Sequence, residues 1–340
     1  MSTPEPSPSP APVLSPPEQI FAQLFGSVQT RCIVAAAELE LADRLAGGPV
    51  PVEALASQTG TDADSLFRMM RSLESIGYFR QVSTKVFVNS ELSEYLRKDV
   101  PGSQWAFVCM FIPGWGYWDG LNYLMDTLRN GRPGLFDAWG YDIWGHYQRN
   151  PHQATVFNQA MGAMTAEMTP AITAAYDWSR FPVIADIGGG VGGQLADILN
   201  KNPESRGVLF DQPDVVAEAG NHNRMEIKGG NFFESIPVEA DAYLLRNIIH
   251  DWNDEKASEI LSTLRKSTPP DSRIVLVEWL IPETSEFHPG KWTDMTMMNS
   301  VSGKERTKSE FAELFRSTGF ELEKTIPTGS MFTLIVGRPV

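Results

Sequence analysis

The chain has 340 residues, of which 42% are hydrophobic, and because one core rarely grows past roughly 250 residues this length predicts two domains. A formal net charge of -14 disfavours a nucleic-acid partner, since such binding depends on cations that neutralise phosphates. The two cysteines, Cys32 and Cys109, lie far apart in apolar surroundings, which predicts reduced thiols in a cytoplasmic protein rather than a disulfide framework or a metal site.

The N-terminal residues 1–17 alternate Pro with Ser, Ala and Glu. This composition cannot bury enough apolar surface to offset chain entropy, so it predicts a disordered tail. From Pro17 to Leu41 apolar residues recur at helical spacing until Gly47 and Gly48 stop the pattern, which predicts an apolar helix pair. No run approaches roughly 18 unbroken apolar residues and no cationic segment precedes an apolar one, so neither a membrane span nor a targeting signal is predicted.

Residues 52–88 have the pattern of a winged helix, with helices over 52–55 and 64–76, a turn at Gly77 and a short hairpin. Two interpretations are open: a DNA-binding module that reads DNA with residues 64–75, or a module for packing or dimerisation. Asp62, Asp64 and Glu74 leave the would-be recognition helix poorly cationic, which favours the second interpretation.

The segment between about Pro101 and Trp178 is helical in pattern and rich in aromatic residues and methionine. Most such side chains at helical spacing belong to a core, but their density suggests that some wall an apolar pocket for a planar substrate. The candidate pocket residues, including a methionine-rich segment further along the chain, are Trp115, Met161, Met164, Trp252, Met295, Met298 and Asn299.

After Trp178 strands and helices alternate along residues 179–340, which predicts a mostly parallel sheet with helices on both faces. Strands are predicted over residues 183–186, 207–211, 225–228, 241–245 and 273–278, and the segments 321–327 and 331–337 predict a closing antiparallel hairpin. Ligands of such sheets bind at the carboxyl ends of the strands.

A glycine-rich turn, residues 186–192, follows the first of these strands. Its glycines let the backbone turn sharply and approach a ligand closely. The spacing of Gly188, Gly190 and Gly193 also fits the fingerprint of nicotinamide and flavin cofactors, so at this point those cofactors, S-adenosylmethionine and a plain tight turn all remain open.

Two further strand ends narrow the choice of cofactor. Asp211 ends the second strand, where a carboxylate can accept hydrogen bonds from both hydroxyls of an adenosine ribose. Gly230, Asn231 and Phe232 follow the third strand and offer an amide and an aromatic face that suit an adenine. This combination favours S-adenosylmethionine.

Five blocks occur in a fixed order: DIGGG at 186–190, FD at 210–211, GGNFF at 229–233, HDW at 250–252 and GKERT at 303–307. The set resembles the caffeic-acid type of S-adenosylmethionine-dependent O-methyltransferase of plants and its bacterial relatives, and the resemblance covers residues 18–340. It implies a Rossmann-like α/β class I methyltransferase domain over 179–340. A mainly α winged-helix dimerisation and substrate-lid domain over 18–178 precedes it, in a homodimer that acts on a small hydroxylated molecule.

The resemblance also implies roles for individual residues. His250 matches the general base that deprotonates the accepting hydroxyl, and Glu305 matches the carboxylate that orients its imidazole. Arg246 matches a cationic contact to the polar end of the cofactor, while Asp251 is interpreted as a helix cap. The full set of predicted cofactor-binding residues is Asp186, Gly188, Gly190, Asp211, Gly230, Asn231, Phe232 and Arg246.

Two departures from the family pattern affect these expectations. Asn231 stands where many relatives carry aspartate, although its amide oxygen can still accept from an adenine amino group. Plant members place another glutamate near the base in the last strand, but residues 331–336 offer none, so the base is expected to rely on Glu305 alone.

Two other functions compete with methyl transfer to a hydroxyl. Some relatives keep the cofactor but catalyse pericyclic or decarboxylative reactions, against which the retention of both His250 and Glu305 argues. A regulator that binds DNA through the winged helix is disfavoured by the acidic balance of the chain.

Overall fold

A computed structural model describes residues 14–220 and 222–340, which form two compact units divided between Ile112 and Pro113. Residues 1–13 of the predicted Pro-rich tail lie outside the described residues, and the first helix begins at Pro16. Residues 113–178, grouped with the N-terminal domain in the sequence analysis, belong to the second compact unit. The domain boundaries drawn from the sequence stay a prediction.

The first unit is mainly helical. Its helices are α1 (Pro16–Glu38), α2 (Leu41–Arg44), α3 (Val52–Thr59), α4 (Ala63–Glu74), α5 (Glu91–Glu94) and α6 (Trp105–Cys109), and its strands are β1 (Val50–Pro51), β2 (Arg80–Ser83) and β3 (Val86–Val88). The strands pair antiparallel in the order β1-β3-β2. Asp62 begins α4 by accepting a hydrogen bond from the backbone N–H of Ser65 at 2.8 Å, the usual way to satisfy a free helix N–H. The predicted winged-helix arrangement is confirmed.

Helix α1 carries an apolar outward face. Among the described residues it is the one helix that is long and apolar enough to cross a membrane, judged by length and composition alone, a test that is weak evidence when one N-terminal helix passes it. Five of its large apolar side chains are 44–69% exposed: Ile20, Phe21, Leu24, Phe25 and Val28. Apolar surface of this extent on one face is typical of a contact surface.

The second unit is built on a seven-stranded sheet. Its strands are β4 (Val183–Ile187), β5 (Arg206–Asp211), β6 (Met225–Gly229), β7 (Ala242–Arg246), β8 (Arg273–Glu278), β9 (Phe320–Pro327) and β10 (Thr333–Pro339), in the order β6-β5-β4-β7-β8-β10-β9. The first five run parallel, and β10 pairs antiparallel with both β8 and β9. This confirms the predicted mostly parallel sheet with an antiparallel hairpin.

Helices cover both faces of this sheet. The helices of this unit are α7 (Tyr117–Leu121), α8 (Leu124–Asn130), α9 (Gly134–Trp139), α10 (Ile143–Arg149), α11 (Pro151–Ala174), α12 (Gly193–Lys201), α13 (Pro213–Val216), α14 (Asp254–Arg265), α15 (Gly290–Ser300) and α16 (Lys308–Ser317). Of these, α7–α10 pack on other helices rather than on the sheet. Successive strand residues point to opposite faces, so Leu245 packs in the core with α14 and α16, whereas Leu244 packs in the core with α11 and α12. The inner strands β4, β5, β7, β8 and β10 are therefore mostly apolar and buried, as expected of a sheet covered on both faces.

Candidate active site

His250 lies at the carboxyl edge of the sheet, in a short 3-10 turn, Ile249–Asp251, that follows β7. Its Nδ1 is 3.0 Å from Oε1 of Glu305, and the Glu305 side chain is fully buried. The structure thus brings together the two residues predicted from the sequence as base and orienting carboxylate. A hydrogen bond at Nδ1 leaves Nε2 as the nitrogen that can accept a proton.

A second glutamate, missed in the sequence analysis, also faces this imidazole. Oε2 of Glu278 lies 4.0 Å from Nδ1 of His250, and the side chain is fully buried. Its Oε1 accepts hydrogen bonds from the backbone N–H groups of Ile248 and Ile249 at 3.2 and 2.8 Å. The expectation that the base relies on Glu305 alone is wrong, because the additional carboxylate comes from the end of β8 rather than from the last strand.

Asp251 lies on the other side of the ring, with Oδ1 3.5 Å from Nε2 of His250. Its interpretation as a helix cap is wrong. Helix α14 begins at Asp254, and its cap is Asn253, whose side chain accepts a hydrogen bond from the N–H of Lys256 at 3.0 Å. Asp251 therefore belongs to the group of charges around the base.

These groups shift one another's pKa values. Burial lowers the pKa of His250, but Asp251, Glu278 and Glu305 outweigh it and raise this pKa to about 10. Burial raises the pKa of Glu278 to about 7 and that of Asp251 to about 6, in both cases against the stabilising charge of the imidazolium. The site is built to keep a proton on the imidazole once the ring has accepted one.

His250, Glu278 and Glu305 also have a spacing that could hold a metal ion, since one ligand atom from each lies within 4.8 Å of the others. The hydrogen bond between His250 and Glu305 accounts for the geometry of the pair without an ion. The absence of a metal, expected from the sequence, stays a prediction.

The glycine-rich turn lies at the end of β4, one strand away. Gly188 and Gly190 have φ angles of 71° and 61°, in the left-handed region that favours glycine. A Cβ on Gly188 would lie 2.5 Å from Cδ1 of Ile248, whereas a Cβ on Gly190 would meet nothing within 4 Å. Oδ2 of Asp211 accepts a hydrogen bond from the N–H of Gly190 at 2.8 Å. The predicted ribose-binding carboxylate therefore also holds the turn in place, with open space beside it.

Asp186, under the same turn, is almost fully buried. Neither of its carboxylate oxygens has a hydrogen-bond partner of standard geometry among the described residues, although the N–H of Leu195 is close enough to oppose the rise in its pKa. Burial raises this pKa to about 7, with Arg246 as the main opposing charge. A buried carboxylate without a hydrogen-bond partner, under a turn that is open at Gly190, fits the cationic polar end of an amino-acid-like ligand.

Arg246, predicted to contact the cofactor, is mostly buried. Its Nη1 donates to Oγ1 of Thr169 at 2.9 Å and to Oε1 of Gln194 at 2.8 Å. Nη2 donates to the carbonyl of Thr165 at 3.3 Å. The guanidinium thus joins α11 and α12 to the end of β7, a packing role that the sequence did not indicate.

The third strand end offers the expected amide and aromatic ring. A Cβ on Gly230 would lie 2.7 Å from the Phe210 ring, so glycine is required there. Asn231 is exposed, and its Oδ1 accepts from the N–H of Phe233 at 3.0 Å, which leaves a further lone pair for an adenine amino group. The ring of Phe232 packs edge-on against Phe233 with centroids 4.9 Å apart.

The predicted pocket residues occupy several elements. Trp115 is half-buried against His152, with ring centroids 5.9 Å apart, and Trp252 packs edge-on against Phe233 at 4.8 Å. Asn299 is buried and donates to the carbonyl of Met295 at 2.8 Å. The remaining members are half-buried and lie on α11 or α15: Met161, Met164, Met295 and Met298. Trp252 and Asn299 thus have packing partners within the fold, and the assignment of all seven to substrate stays a prediction.

Known families and structures match nearly the whole chain. A model of the O-methyltransferase domain matches residues 121–321, and a model of the O-methyltransferase dimerisation domain matches residues 21–99. The chain is 34% identical to a phenazine O-methyltransferase of Lysobacter antibioticus, covering 94% of this chain and 96% of that protein. It is 33% identical to a mitomycin biosynthesis 6-O-methyltransferase of Streptomyces lavendulae, covering 90% of each.

Two solved structures have the same fold. The mitomycin 7-O-methyltransferase MmcR matches with a TM-score of 0.88 and 31% identity over 95% of this chain and 98% of that one. Human N-acetylserotonin methyltransferase in complex with S-adenosylmethionine matches with a TM-score of 0.85 and 25% identity over 96% of this chain and 98% of that one.

The fold and the site define a two-domain enzyme, a class I methyltransferase preceded by a dimerisation domain, whose cofactor is S-adenosylmethionine. The chain belongs to the caffeic-acid-type family of S-adenosylmethionine-dependent O-methyltransferases. Its relatives serve natural-product biosynthesis. Neither a pericyclase nor a DNA-binding regulator gains support from these comparisons.

Proposed function

We propose that the enzyme methylates a phenolic hydroxyl of a small, largely apolar aromatic molecule, with His250 as general base and Glu305 as the residue that orients it. The observation that carries this proposal is the buried 3.0 Å contact between Nδ1 of His250 and Glu305. It fixes the ring and its tautomer so that Nε2 can take the proton of the acceptor.

Proton affinities support a phenol as the acceptor. A free phenol has a pKa of about 10, and the surrounding carboxylates raise the pKa of His250 to about 10. Proton transfer between groups of similar pKa costs little free energy, so a phenol can pass its proton to the unprotonated imidazole. An aliphatic alcohol is a far weaker acid and would gain less from this base.

The cofactor supplies an electrophilic methyl group, and residues at three strand ends fit its parts. Asp186 and the open face of the glycine-rich turn suit its amino-acid end, Asp211 suits the ribose, and Asn231 with Phe232 suits the adenine. Arg246 would then act on the cofactor through its charge opposite Asp186 and through the packing of α11 and α12.

The names of relatives support an aromatic acceptor. A protein of Streptomyces cremeus that is 31% identical to this chain is named 3-amino-4-hydroxybenzoate 4-O-methyltransferase. The structure of NcsB1, from neocarzinostatin biosynthesis, was solved with S-adenosylmethionine and a hydroxylated methylnaphthoic acid. By analogy we infer a planar hydroxylated acid or heterocycle as the substrate class here.

The test is an assay of the purified protein with S-adenosylmethionine and a panel of hydroxybenzoates, hydroxynaphthoates and hydroxyphenazines, each paired with its amino analogue. We expect S-adenosylhomocysteine and a methyl ether in equal amounts by mass spectrometry. His250→Ala should lower kcat on the order of 10²- to 10⁴-fold, the usual contribution of a general base, with cofactor affinity nearly unchanged. Wild-type turnover by His250→Ala would refute the base, and products formed only from the amino analogues would refute the hydroxyl acceptor.

We also propose that the protein is a homodimer associated through the apolar face of α1 and that it works in the cytoplasm. The match to a dimerisation domain supports the first part. The two free thiols, Cys32 and Cys109, fit the second part, since cytoplasmic proteins keep cysteines reduced.

A further inference from the structure

We propose that Arg306 is the positioning residue of this active site, because it fixes the turn that carries His250 in register with Glu305. This inference rests on the proposed role of His250 as the base. Arg306 was part of the GKERT block in the sequence, but neither that block nor the comparisons assign it a role.

The guanidinium of Arg306 is completely buried under the turn Ile249–Asp251, which carries His250 and is called the base turn here. Nη1 donates to the carbonyl of Ile249 at 3.1 Å, and Nη2 donates to the carbonyl of Trp252 at 2.9 Å. Nε and Nη2 both reach Oδ1 of Asp254, at 2.9 and 2.8 Å. One side chain therefore holds the residues on either side of His250 and the first residue of the following helix.

The backbone next to Arg306 also contacts the turn that carries His250. The N–H of Lys304 donates to the carbonyl of His250 at 2.8 Å. A Cβ on Gly303 would collide with that same carbonyl oxygen, so the segment 303–306 lies directly on the turn. Nη1 of Arg306 also donates to the carbonyl of Lys304 at 3.1 Å, which ties the segment to the turn through one group.

Glu305 is positioned by the same arrangement, because it stands between Lys304 and Arg306 in this segment. Its N–H donates to Oδ1 of Asp294 at 2.9 Å. Residues 303–306 thus supply both the carboxylate that orients the imidazole of His250 and the guanidinium that fixes the backbone on either side of His250. Loss of the guanidinium would let the two partners of the 3.0 Å contact move independently.

Lysine cannot replace this arginine, because a single ammonium on a flexible stem cannot satisfy three carbonyls and a carboxylate spread around a planar fork. Buried carbonyls left without a donor would shift to find one. A displacement of about 1 Å in a catalytic group can cost on the order of 100-fold in rate.

The chain offers a matched control in Arg265, on α14. Its guanidinium also holds three backbone carbonyls, those of Gly319 at 2.9 Å, Thr268 at 3.3 Å and Val340 at 3.1 Å. These three residues lie outside the group of charges around His250. Arg265→Lys therefore removes a similar set of hydrogen bonds from the same unit without touching the base turn.

The test compares Arg306→Lys, Arg265→Lys and the wild type for kcat, acceptor KM, cofactor Kd and Tm, using an acceptor found in the panel. We expect Arg306→Lys to lower kcat roughly 10- to 100-fold with cofactor Kd unchanged, and Arg265→Lys to lower Tm with kcat unchanged. A wild-type kcat in Arg306→Lys, or a kcat loss of the same size in both variants, would overturn the proposal.

A second readout needs no acceptor. The imidazole of His250, assigned by comparison with His250→Gln, is titrated by NMR in the enzyme without cofactor. Arg306→Lys should lower the pKa of this imidazole, because the ring moves away from carboxylates that hold its proton, while Arg265→Lys should leave it at the wild-type value. An identical His250 titration in Arg306→Lys and wild type would overturn the proposal.

A milder variant covers the case in which Arg306→Lys does not fold. Asp254→Asn keeps the guanidinium and its three carbonyls but weakens its carboxylate partner, and we expect a smaller fall in kcat with the same direction of pKa change. Unchanged kcat and titration in Asp254→Asn would then overturn the proposal. His250→Ala, measured in parallel, separates the role of His250 as base from the role of Arg306 as positioning residue. Wild-type turnover in His250→Ala refutes the base. An inactive His250→Ala beside an unaffected Arg306 variant refutes only the positioning role.

Discussion

Three carboxylates, from Asp251, Glu278 and Glu305, lie within 4.0 Å of the imidazole nitrogens of His250. One imidazolium can balance one negative charge, so the ionised cluster would hold a buried excess of negative charge. Burial reduces this excess, because it raises the pKa of Glu278 to about 7 and that of Asp251 to about 6, so that Glu278 in particular is partly protonated near neutral pH. A proton removed from the acceptor therefore enters a cluster of three carboxylates and an imidazole rather than an isolated ring.

Glu278→Gln is expected to move the acidic limb of the kcat–pH profile to lower pH by about one unit, because an opposite charge at this distance typically raises a pKa by that amount or more. A base is active when unprotonated, so the rate falls as the pH falls through its pKa. Removing one carboxylate lowers the pKa of His250 and hence the pH at which activity is lost. Glutamine still accepts the two backbone N–H bonds.

Glu313→Gln serves as the control for this profile, since Glu313 is exposed and pairs with Arg316 on the surface of α16. A Glu278→Gln profile that coincides with the wild-type and control profiles would contradict the electrostatic role of Glu278.

Among the individual residues of the site, the sequence predicted the pair of His250 and Glu305 through a family motif but did not predict Glu278. The signal was present, because Glu278 is the last residue of a buried strand at the same edge of the sheet as Asp211. Many strands without a functional role also end in a glutamate, and what sets Glu278 apart is that it accepts the backbone N–H groups of Ile248 and Ile249. The cap of α14 was missed because Asp251 and Asn253 are both good caps, and backbone conformation decides between them.

The glycine-rich turn is the element most sensitive to a small substitution. Gly188→Ala places a Cβ in a left-handed conformation and 2.5 Å from Ile248, the residue that leads into the base turn. We expect cofactor Kd, measured by calorimetry, to rise about tenfold, as strain of this kind costs on the order of 1–3 kcal/mol.

Gly162→Ala is the matched control for this variant, because Gly162 lies within α11, has no positive φ, and an added methyl group there would meet nothing within 4 Å. Its cofactor affinity should equal that of the wild type. An unchanged Kd in Gly188→Ala would show that the turn adapts and does not shape the cofactor site.

Strands were the elements best predicted from the sequence, because a strand buried on both faces is a short apolar run with clear ends. β8 begins and ends at the predicted residues, and the other strands of the seven-stranded sheet differ by one or two positions. Helix α13 is short and covers only Pro213–Val216. Helix α15 was not predicted as a helix, since its methionines and polar residues lack a helical stripe and its packing depends on contacts from distant residues such as Thr127.

At the scale of the whole molecule, the exposed face of α1 predicts the oligomeric state. Leu24 is 69% exposed in the single chain, and Leu24→Asp would put a charge into a dimer interface. We expect light scattering after gel filtration to give a dimer for the wild type and a monomer for Leu24→Asp.

Gln23→Asp, which places the same charge at the neighbouring exposed polar position, should remain dimeric. A monomeric wild type, or a dimeric Leu24→Asp at micromolar concentration, would refute association through this face.

The position of β10 constrains when the second unit can fold. Residues 333–339 lie between β8 and β9 and pair with both, so a growing chain that has reached Pro327 holds β9 without the strand it must join. Until those residues leave the ribosome, β8 is an open edge of the kind that pairs with other chains. The sheet therefore closes only when β10 is in place, and a chain that lacks this strand would leave β8 free to pair with other chains.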